Sequence, residues 1–308
     1  MPGLFIVSLD CEGKWGFADC ITAHHDTYFT EANLLAAYRK LLALFARYEV
    51  LATFAFVMAF TLSDAERAPL ADCLRDVIVD GKNWLRYYRA AEANGRTEGW
   101  FCPLALDEVR AHSEHEVGCH GFCHAPLAES SIARDDVARE LDAASAVAAL
   151  KGIELRTFVY PRNQIGYREL LRQHGFMGYR EALDRVTGVF GRAHSLASEF
   201  NVIARSQSPL ENADGLCRIP AGYFFNWRYG VRAKIPPAVT RRRWAAILRD
   251  AADRGEVAHL WFHPHNIIDG PETFDVLEDV LRDAASLRAQ NRLQFVTQKE
   301  YAERLICV

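Results

Sequence analysis

The strongest constraint on the fold of this chain is a repeated alternation of short apolar runs with longer stretches of helical periodicity. The first apolar run, at 4–9, is followed by a helical pattern at 30–50, TEANLLAAYRKLLALFARYEV. Further apolar runs lie at 51–60, 115–120, 155–161, 258–264 and 293–297, and helical patterns lie at 135–152, 167–175 and 273–290. Repeated strand–helix units imply parallel strands joined by right-handed crossovers. We therefore predict an α/β fold, a distorted (β/α) barrel with about seven or eight parallel strands.

Two stretches interrupt this rhythm, at about 61–114 and 185–240. The first follows the second predicted strand and has helical character, and the second mixes Gly, Ser and aromatic residues. A composition of 50% apolar and 25% charged residues is that of a globular protein with a sizeable core. We expect a single domain, 1–308, that carries these two insertions.

Composition and charge also limit the partners of the chain. A formal net charge of -4 argues against a nucleic-acid binder, because such proteins usually carry a clear basic excess. The sequence has no secretory signal and no apolar span of about 18 residues, so no integral membrane segment is expected. The expectation is a cytoplasmic protein whose eight cysteines are reduced.

Residues that can carry chemistry cluster at the predicted carboxyl ends of the strands. Strand alternation places Asp10 and Glu12 on the same side of the first strand end. The other candidates at strand ends are His120, His124, Arg162, Asn163 and His263. In a barrel of parallel strands these ends converge on one face.

One carboxylate and two histidines would give a divalent metal three protein ligands and leave a position for a reactive water. The second carboxylate is then free to act as a base, and His263 could act as the general acid. Two alternatives remain open at this point. The acid pair could be an ordinary polar strand end, or Cys119 and Cys123 could belong to a structural zinc knuckle, although no second Cys/His pair completes one.

These motifs resemble the polysaccharide deacetylase family, the carbohydrate N-deacetylases with the nodulation-type chitooligosaccharide deacetylase domain. The matching segments are SLDCEG, HGFCH and HLWFHPH, and the resemblance covers about 4–300 outside the insertions. It implies that Asp10 is the catalytic base, that Glu12, His120 and His124 bind the metal, and that His263 protonates the leaving amine. It suggests zinc as the metal, with cobalt or iron as alternatives.

The third motif of the family departs from its usual form here, as in a divergent member. The family places an arginine just before prolines, whereas VYPRNQIGY places Arg162 after Pro161. The resemblance implies that Arg162 supports Asp10, and Asn163 or Gln164 could take over part of that role. Asn163 is also expected to contact the substrate.

The segment FFNWRYGVRAK suggests how a substrate is held. Trp227, Arg228 and Arg232 could stack on a sugar and bind a phosphate or carboxylate. The expected activity is hydrolysis of an N-acyl group on an amino sugar, in a nucleotide-linked or lipid-linked precursor of a surface polysaccharide such as O-antigen. The alternatives are an acyl or formyl transferase, a non-sugar amidase, or an inactive carbohydrate-binding relative.

Overall fold

A computed structural model of the chain describes residues 1–74, 76–183, 205–268 and 270–306. In this part of the chain nine strands form one sheet, in which every pairing is parallel. They are β1 (Gly3–Cys11), β2 (Ala52–Phe56), β5 (Glu116–Cys119), β6 (Thr157–Val159), β7 (Gly178–Arg180), β8 (Cys217–Ile219), β9 (Tyr223–Phe224), β10 (Val257–Phe262) and β11 (Leu293–Val296). The remaining pair, β3 (Ile78–Val79) and β4 (Lys82–Asn83), is a separate antiparallel hairpin.

Helices follow most of the sheet strands. Those described are α1 (Ala23–Tyr28), α2 (Glu31–Tyr48), α3 (Asp64–Arg67), α4 (Arg86–Ala93), α5 (Pro103–Arg110), α6 (Arg134–Leu150), α7 (Arg168–Gln173), α8 (Pro237–Arg254), α9 (Pro271–Ala289) and α10 (Gln298–Ile306). Among the described helices, none combines the length and apolar character needed to cross a membrane.

The first strand, β1, lies at the centre of the sheet. The spatial order is β8-β7-β6-β5-β2-β1-β10-β9, and β11 pairs with the amino-terminal half of β1 beside β2. Eight of the nine residues of β1 are buried, as expected for a parallel strand covered on both faces. The order places the ends of β5 and β10 on opposite flanks of the end of β1. The predicted distorted (β/α) barrel of parallel strands is therefore confirmed.

Local differences from the expectation have simple causes. The apolar run at 51–60 is strand only to Phe56, because Met58–Thr61 turns into a 3-10 helix that packs in the core. Strands β7, β8 and β9 were not identified because they have two or three residues and, unlike the equally short β6 in the run at 155–161, lie outside the predicted apolar runs. In the predicted insertions, α3, the β3–β4 hairpin, α4 and α5 occupy the first, and 184–204 of the second lies outside the described residues.

Candidate metal centre

The carboxyl ends of β1, β5 and β10 surround a cavity of about 280 Å³. Its lining includes acidic, imidazole and aromatic side chains. The lining residues are Asp10, Glu12, Gly16, Phe17, His120, His124, Arg162, Asn163, Phe224, Trp227, Trp261, His263, His265 and Asn266. Of the residues predicted to form the site, all except Arg228 and Arg232 line this cavity.

Glu12 lies between two histidines that follow β5. Its Oε2 atom is 3.4 Å from Nε2 of His120 and 3.0 Å from Nε2 of His124, and all three side chains are buried. The turn after β1 brings Gly16 against this carboxylate, where a Cβ atom would lie only 1.9 Å from Oε1. Gly16 is therefore required for the close approach of the chain to Glu12.

A backbone contact fixes the orientation of the first histidine. Nδ1 of His120 lies 2.8 Å from the carbonyl oxygen of Val159, so the neutral ring carries its proton there. Its Nε2 lone pair then points toward Oε2 of Glu12, and Oδ2 of Asp10 lies 3.9 Å away. A lone pair facing two carboxylates is unfavourable unless a cation or a proton lies between them.

The ionisation of the group also suits a cation. Burial raises the pKa of Glu12, but the imidazoles of His263, His124 and His120 outweigh it and hold that pKa well below its usual range. Burial lowers the pKa of His124 to about 4, so its ring is neutral at pH 7. Nδ1 of His124 is buried without a hydrogen-bond partner. An ionised carboxylate and a neutral imidazole are the forms in which Glu12 and His124 would ligate a metal.

The loop between the two histidines is held by a buried carboxylate on α6. Oε1 of Glu140 accepts the backbone N–H groups of Phe122 and Cys123, at 2.8 and 2.7 Å. The thiol of Cys123 donates to Oε2 of the same side chain at 3.1 Å. Cys123 therefore faces α6, and the groups of the described residues that could hold a metal ion contain no cysteine. This arrangement excludes the zinc-knuckle alternative for the described part of the chain.

Arg180, at the end of β7, supports Asp10. Its Nη1 and Nη2 atoms donate to the two oxygens of Asp10 at 2.7 and 2.8 Å, and both side chains are buried. Burial raises the pKa of Asp10, but Arg180, with smaller contributions from His120 and His263, brings it below its usual value. Asp10 is therefore an ionised carboxylate whose position is fixed by a bidentate ion pair.

Other side chains hold Arg180 in this position. Nη2 of Arg180 also donates to Oδ1 of Asn163, and Nη1 lies 3.3 Å from Oγ of Ser8. Ser8 in turn lies 2.8 Å from Nε2 of His259, whose Nδ1 lies 2.6 Å from the Pro220 carbonyl oxygen. The backbone contact places the proton of His259 on Nδ1, so its Nε2 accepts from Ser8.

The expected role of Arg162 requires correction. Its guanidinium donates to the carbonyl oxygen of Gly16 and to Oδ1 of Asp19, at the rim of the cavity, and Arg180 occupies the position beside Asp10. The two arginines are 18 positions apart in sequence, and only the register of β7 shows which one reaches β1. The available signal was an arginine at the end of a short apolar segment, MGYR.

The two arginines predicted to bind substrate also have other contacts. Arg228 donates to Glu272 and to the carbonyl oxygens of Ile235 and Ala233, and its side chain is only 8% exposed. Arg232 donates to Oδ1 of Asn226. The structure therefore gives Arg228 a structural role and does not support the predicted anion site, whereas Trp227 does line the cavity.

His263 flanks Glu12 from the β10 side. Its Nε2 lies 3.4 Å from Oε1 of Glu12, and its Nδ1 lies 3.2 Å from Oδ1 of Asn266. Its side chain is 20% exposed, compared with 2–3% for His120 and His124. It is thus the most accessible of these three histidines to a molecule in the cavity.

Comparison with known proteins gives a likeness of fold. No protein-family model matches the chain, and the comparison with curated proteins finds no match. A candidate polysaccharide deacetylase from Mycobacterium smegmatis is 16% identical, with a TM-score of 0.63 over 99% of this chain and 90% of that chain. A second candidate polysaccharide deacetylase, from Pseudomonas aeruginosa PAO1, is 12% identical, with a TM-score of 0.57 over 97% and 89%.

The fold is not confined to proteins with that description. The PuuE allantoinase is 11% identical, with a TM-score of 0.55 over 99% of this chain and 90% of that chain. The chain therefore has the fold of polysaccharide deacetylases, as the resemblance implied, and this fold also occurs in an allantoinase.

Proposed function

We propose that this chain is a divergent polysaccharide deacetylase that hydrolyses the N-acyl group of an amino sugar with the help of a divalent metal. One observation carries the proposal: the buried Glu12–His120–His124 group lies directly beside Asp10, a carboxylate kept ionised by Arg180. His263 faces the same cavity from the other flank of β1.

Glu12, His120 and His124 would hold the metal. Ligand atoms at a tetrahedral zinc ion lie about 3.4 Å apart, given zinc–ligand distances of about 2.1 Å. The distances from Oε2 of Glu12 to the two Nε2 atoms, 3.0 and 3.4 Å, fit that spacing. When bound, zinc would polarise the acyl carbonyl and lower the pKa of water. Cobalt or iron would suit the same ligands.

Asp10 and His263 would move the protons. Asp10 cannot leave its position, because both of its oxygens accept from Arg180, and its remaining lone pairs can take a proton from the attacking water. His263 would then donate a proton from Nε2 to the leaving nitrogen. Asn266 holds the opposite edge of that ring, so the proton is delivered in a fixed direction.

The cavity suits a sugar more than an extended anion. Phe224, Trp227 and Trp261 offer aromatic faces for a sugar ring, and about 280 Å³ accommodates little more than the reacting residue. We propose an N-acetylated amino sugar in a precursor of a surface polysaccharide, acted on in the cytoplasm. A nucleotide or lipid carrier would extend beyond the cavity.

A panel of N-acetyl and N-formyl amino sugars, free and nucleotide-linked, tests the proposal. The zinc-loaded protein should release acetate or formate together with a free amine, and the chelator-treated protein should not. His120→Ala is the control, because it removes a ligand and leaves Asp10 and His263 in place. Transfer of the acyl group to an acceptor instead of water would indicate a transferase. Sugar binding without release would indicate an inactive relative.

The likeness to an allantoinase favours one second candidate, hydrolysis of a non-sugar amide. The same residues could act on any amide that the cavity admits. Allantoin and other small cyclic amides therefore belong in the panel. Turnover of these, with none of the amino sugars, would replace the sugar proposal and retain the metal centre.

A further inference from the structure

The carboxylate of Glu12 has a histidine neighbour on each side. Oε2 faces His120 and His124, whereas Oε1 lies 3.4 Å from Nε2 of His263. The ligand atoms of Glu12, His263 and His265 all lie within 4.8 Å of one another, as do those of the first group. We infer that Glu12, His263 and His265 form a second, weaker site for zinc or a similar divalent metal, and that Glu12 bridges the two sites.

His263 presents a suitable ligand atom to this site. Oδ1 of Asn266 accepts the backbone N–H of His263 at 3.0 Å and lies 3.2 Å from its Nδ1. In the neutral ring the proton is therefore on Nδ1, and the lone pair of Nε2 points toward Oε1 of Glu12. The separation of 3.4 Å equals that of two ligand atoms on a tetrahedral zinc ion, about 3.4 Å.

Aromatic packing holds His265 next to His263. Its ring stacks on that of His263, with centroids 4.8 Å apart and an angle of 17° between the planes. On its other sides it contacts Phe29 and Phe17, at centroid distances of 4.6 and 5.5 Å. The side chain is buried, so little further ordering is needed for it to ligate.

Charge makes the second site the weaker one. Two cations bridged by a carboxylate lie about 3.5–4 Å apart and repel each other. Glu12 supplies one negative charge to both, and Asp10 is already paired with Arg180. The first site should therefore fill before the second.

Occupancy of the second site has a consequence that rests on the proposed function. A metal ion on Nε2 of His263 occupies the atom that would carry the proton to the leaving nitrogen. Loss of a general acid costs about 10²- to 10⁴-fold in rate. Excess zinc should therefore inhibit the enzyme that low zinc activates.

The test measures the binding of zinc alone to the full chain. A Cys20→Ser background removes an exposed thiol, a common adventitious zinc ligand. After chelator treatment, equilibrium dialysis and elemental analysis should give about two zinc ions per chain, the second binding more weakly. His265→Phe, which preserves the aromatic packing, should bind about one. The control His174→Phe, where the histidine contacts exposed Asp142 away from the cavity, should still bind two.

The outcomes separate the two proposals. One zinc ion in the Cys20→Ser protein, or two retained in His265→Phe, overturns the second site and leaves the first centre standing. No zinc at all contradicts both. If circular dichroism shows that His265→Phe is unfolded, His263→Asn replaces it with the same expectation, because it removes a ligand on the same side of Glu12.

Discussion

At the scale of single residues, strand alternation gives neighbouring side chains different roles. Asp10 and Glu12 enter the same cavity, but one meets a guanidinium and the other meets imidazoles. Cys11, between them, points into the core, where burial raises the pKa of its thiol and Tyr38 is a hydrogen-bonding neighbour. Cys11 therefore faces the packing side of the strand, as strand alternation requires.

This separation of roles predicts the effect of Asp10→Asn. The amide can still accept from Arg180 but cannot take a proton, so kcat should fall by about 10²- to 10⁴-fold. Zinc content should stay at the wild-type level, because the metal ligands are untouched. Steady-state kinetics and elemental analysis of the same preparation provide the check. Loss of the metal in this variant, with retention in Glu12→Ala, would mean that the two acids have exchanged roles.

Sequence reasoning identified those residues of the candidate site that lie together in short motifs. SLDCEG contains Asp10 and Glu12, and HGFCH contains His120 and His124. Within each motif the two residues are at most four positions apart, so local geometry alone brings each pair together. Arg180 was missed because it reaches Asp10 through the sheet, across β6, β5 and β2. Arg162 was favoured because it lies next to a recognisable motif.

At the scale of elements, α6 positions the loop that carries both histidines. Glu140 accepts two backbone N–H groups within that loop, and it is buried in the helix face that packs on the barrel. Burial raises the pKa of this carboxyl. The helix thus fixes the loop that carries the two proposed histidine ligands.

Substitution of Glu140 should therefore weaken metal binding. Glu140→Ala leaves two buried N–H groups without an acceptor, and zinc affinity should fall by about 10- to 100-fold. Glu140→Gln keeps one oxygen for both donors and should bind nearly as tightly as wild type. Competition with a chromophoric chelator measures the affinity. Asp142→Ala, an exposed position on the same helix, is the control, and equal affinities in all four proteins would refute a positioning role.

Three of the four described helices of ten or more residues were predicted, and α8 (Pro237–Arg254), which begins inside the predicted insertion at 185–240, was not. The helical patterns at 30–50, 135–152 and 273–290 correspond to α2, α6 and α9. Strands β7, β8 and β9, of two or three residues, depend on their neighbours in the sheet, whereas the equally short β6 lies in the predicted apolar run at 155–161.

At the scale of the whole molecule, the barrel buries histidines that must stay neutral. Burial lowers the pKa of His259 to about 3, with Arg180 as a further cause, and burial lowers that of His124 to about 4. The unfolded chain takes up these protons near pH 6.5, whereas the folded chain does so only below pH 4. Stability contributed by these rings is complete above pH 6.5 and is lost as the pH falls.

This linkage predicts a steeper acid destabilisation in wild type than in His259→Gln. One buried neutral histidine adds up to about 1.4 kcal/mol per pH unit to the slope of the unfolding free energy between about pH 6 and 4.5. Urea denaturation of metal-free protein at several pH values measures that slope. Equal slopes in the two proteins would show that His259 does not resist protonation in the folded state.

The position of a bound zinc ion tests the central claim most directly. Crystals grown with one equivalent of zinc, measured on both sides of the zinc absorption edge, give an anomalous map that locates the metal independently of any activity. We expect a peak about 2.0–2.2 Å from Oε2 of Glu12 and from Nε2 of both His120 and His124. Asp10 should remain outside the ligand set, paired with Arg180. A map with no peak among these three side chains, or with Asp10 ligating in place of Glu12, would contradict the account.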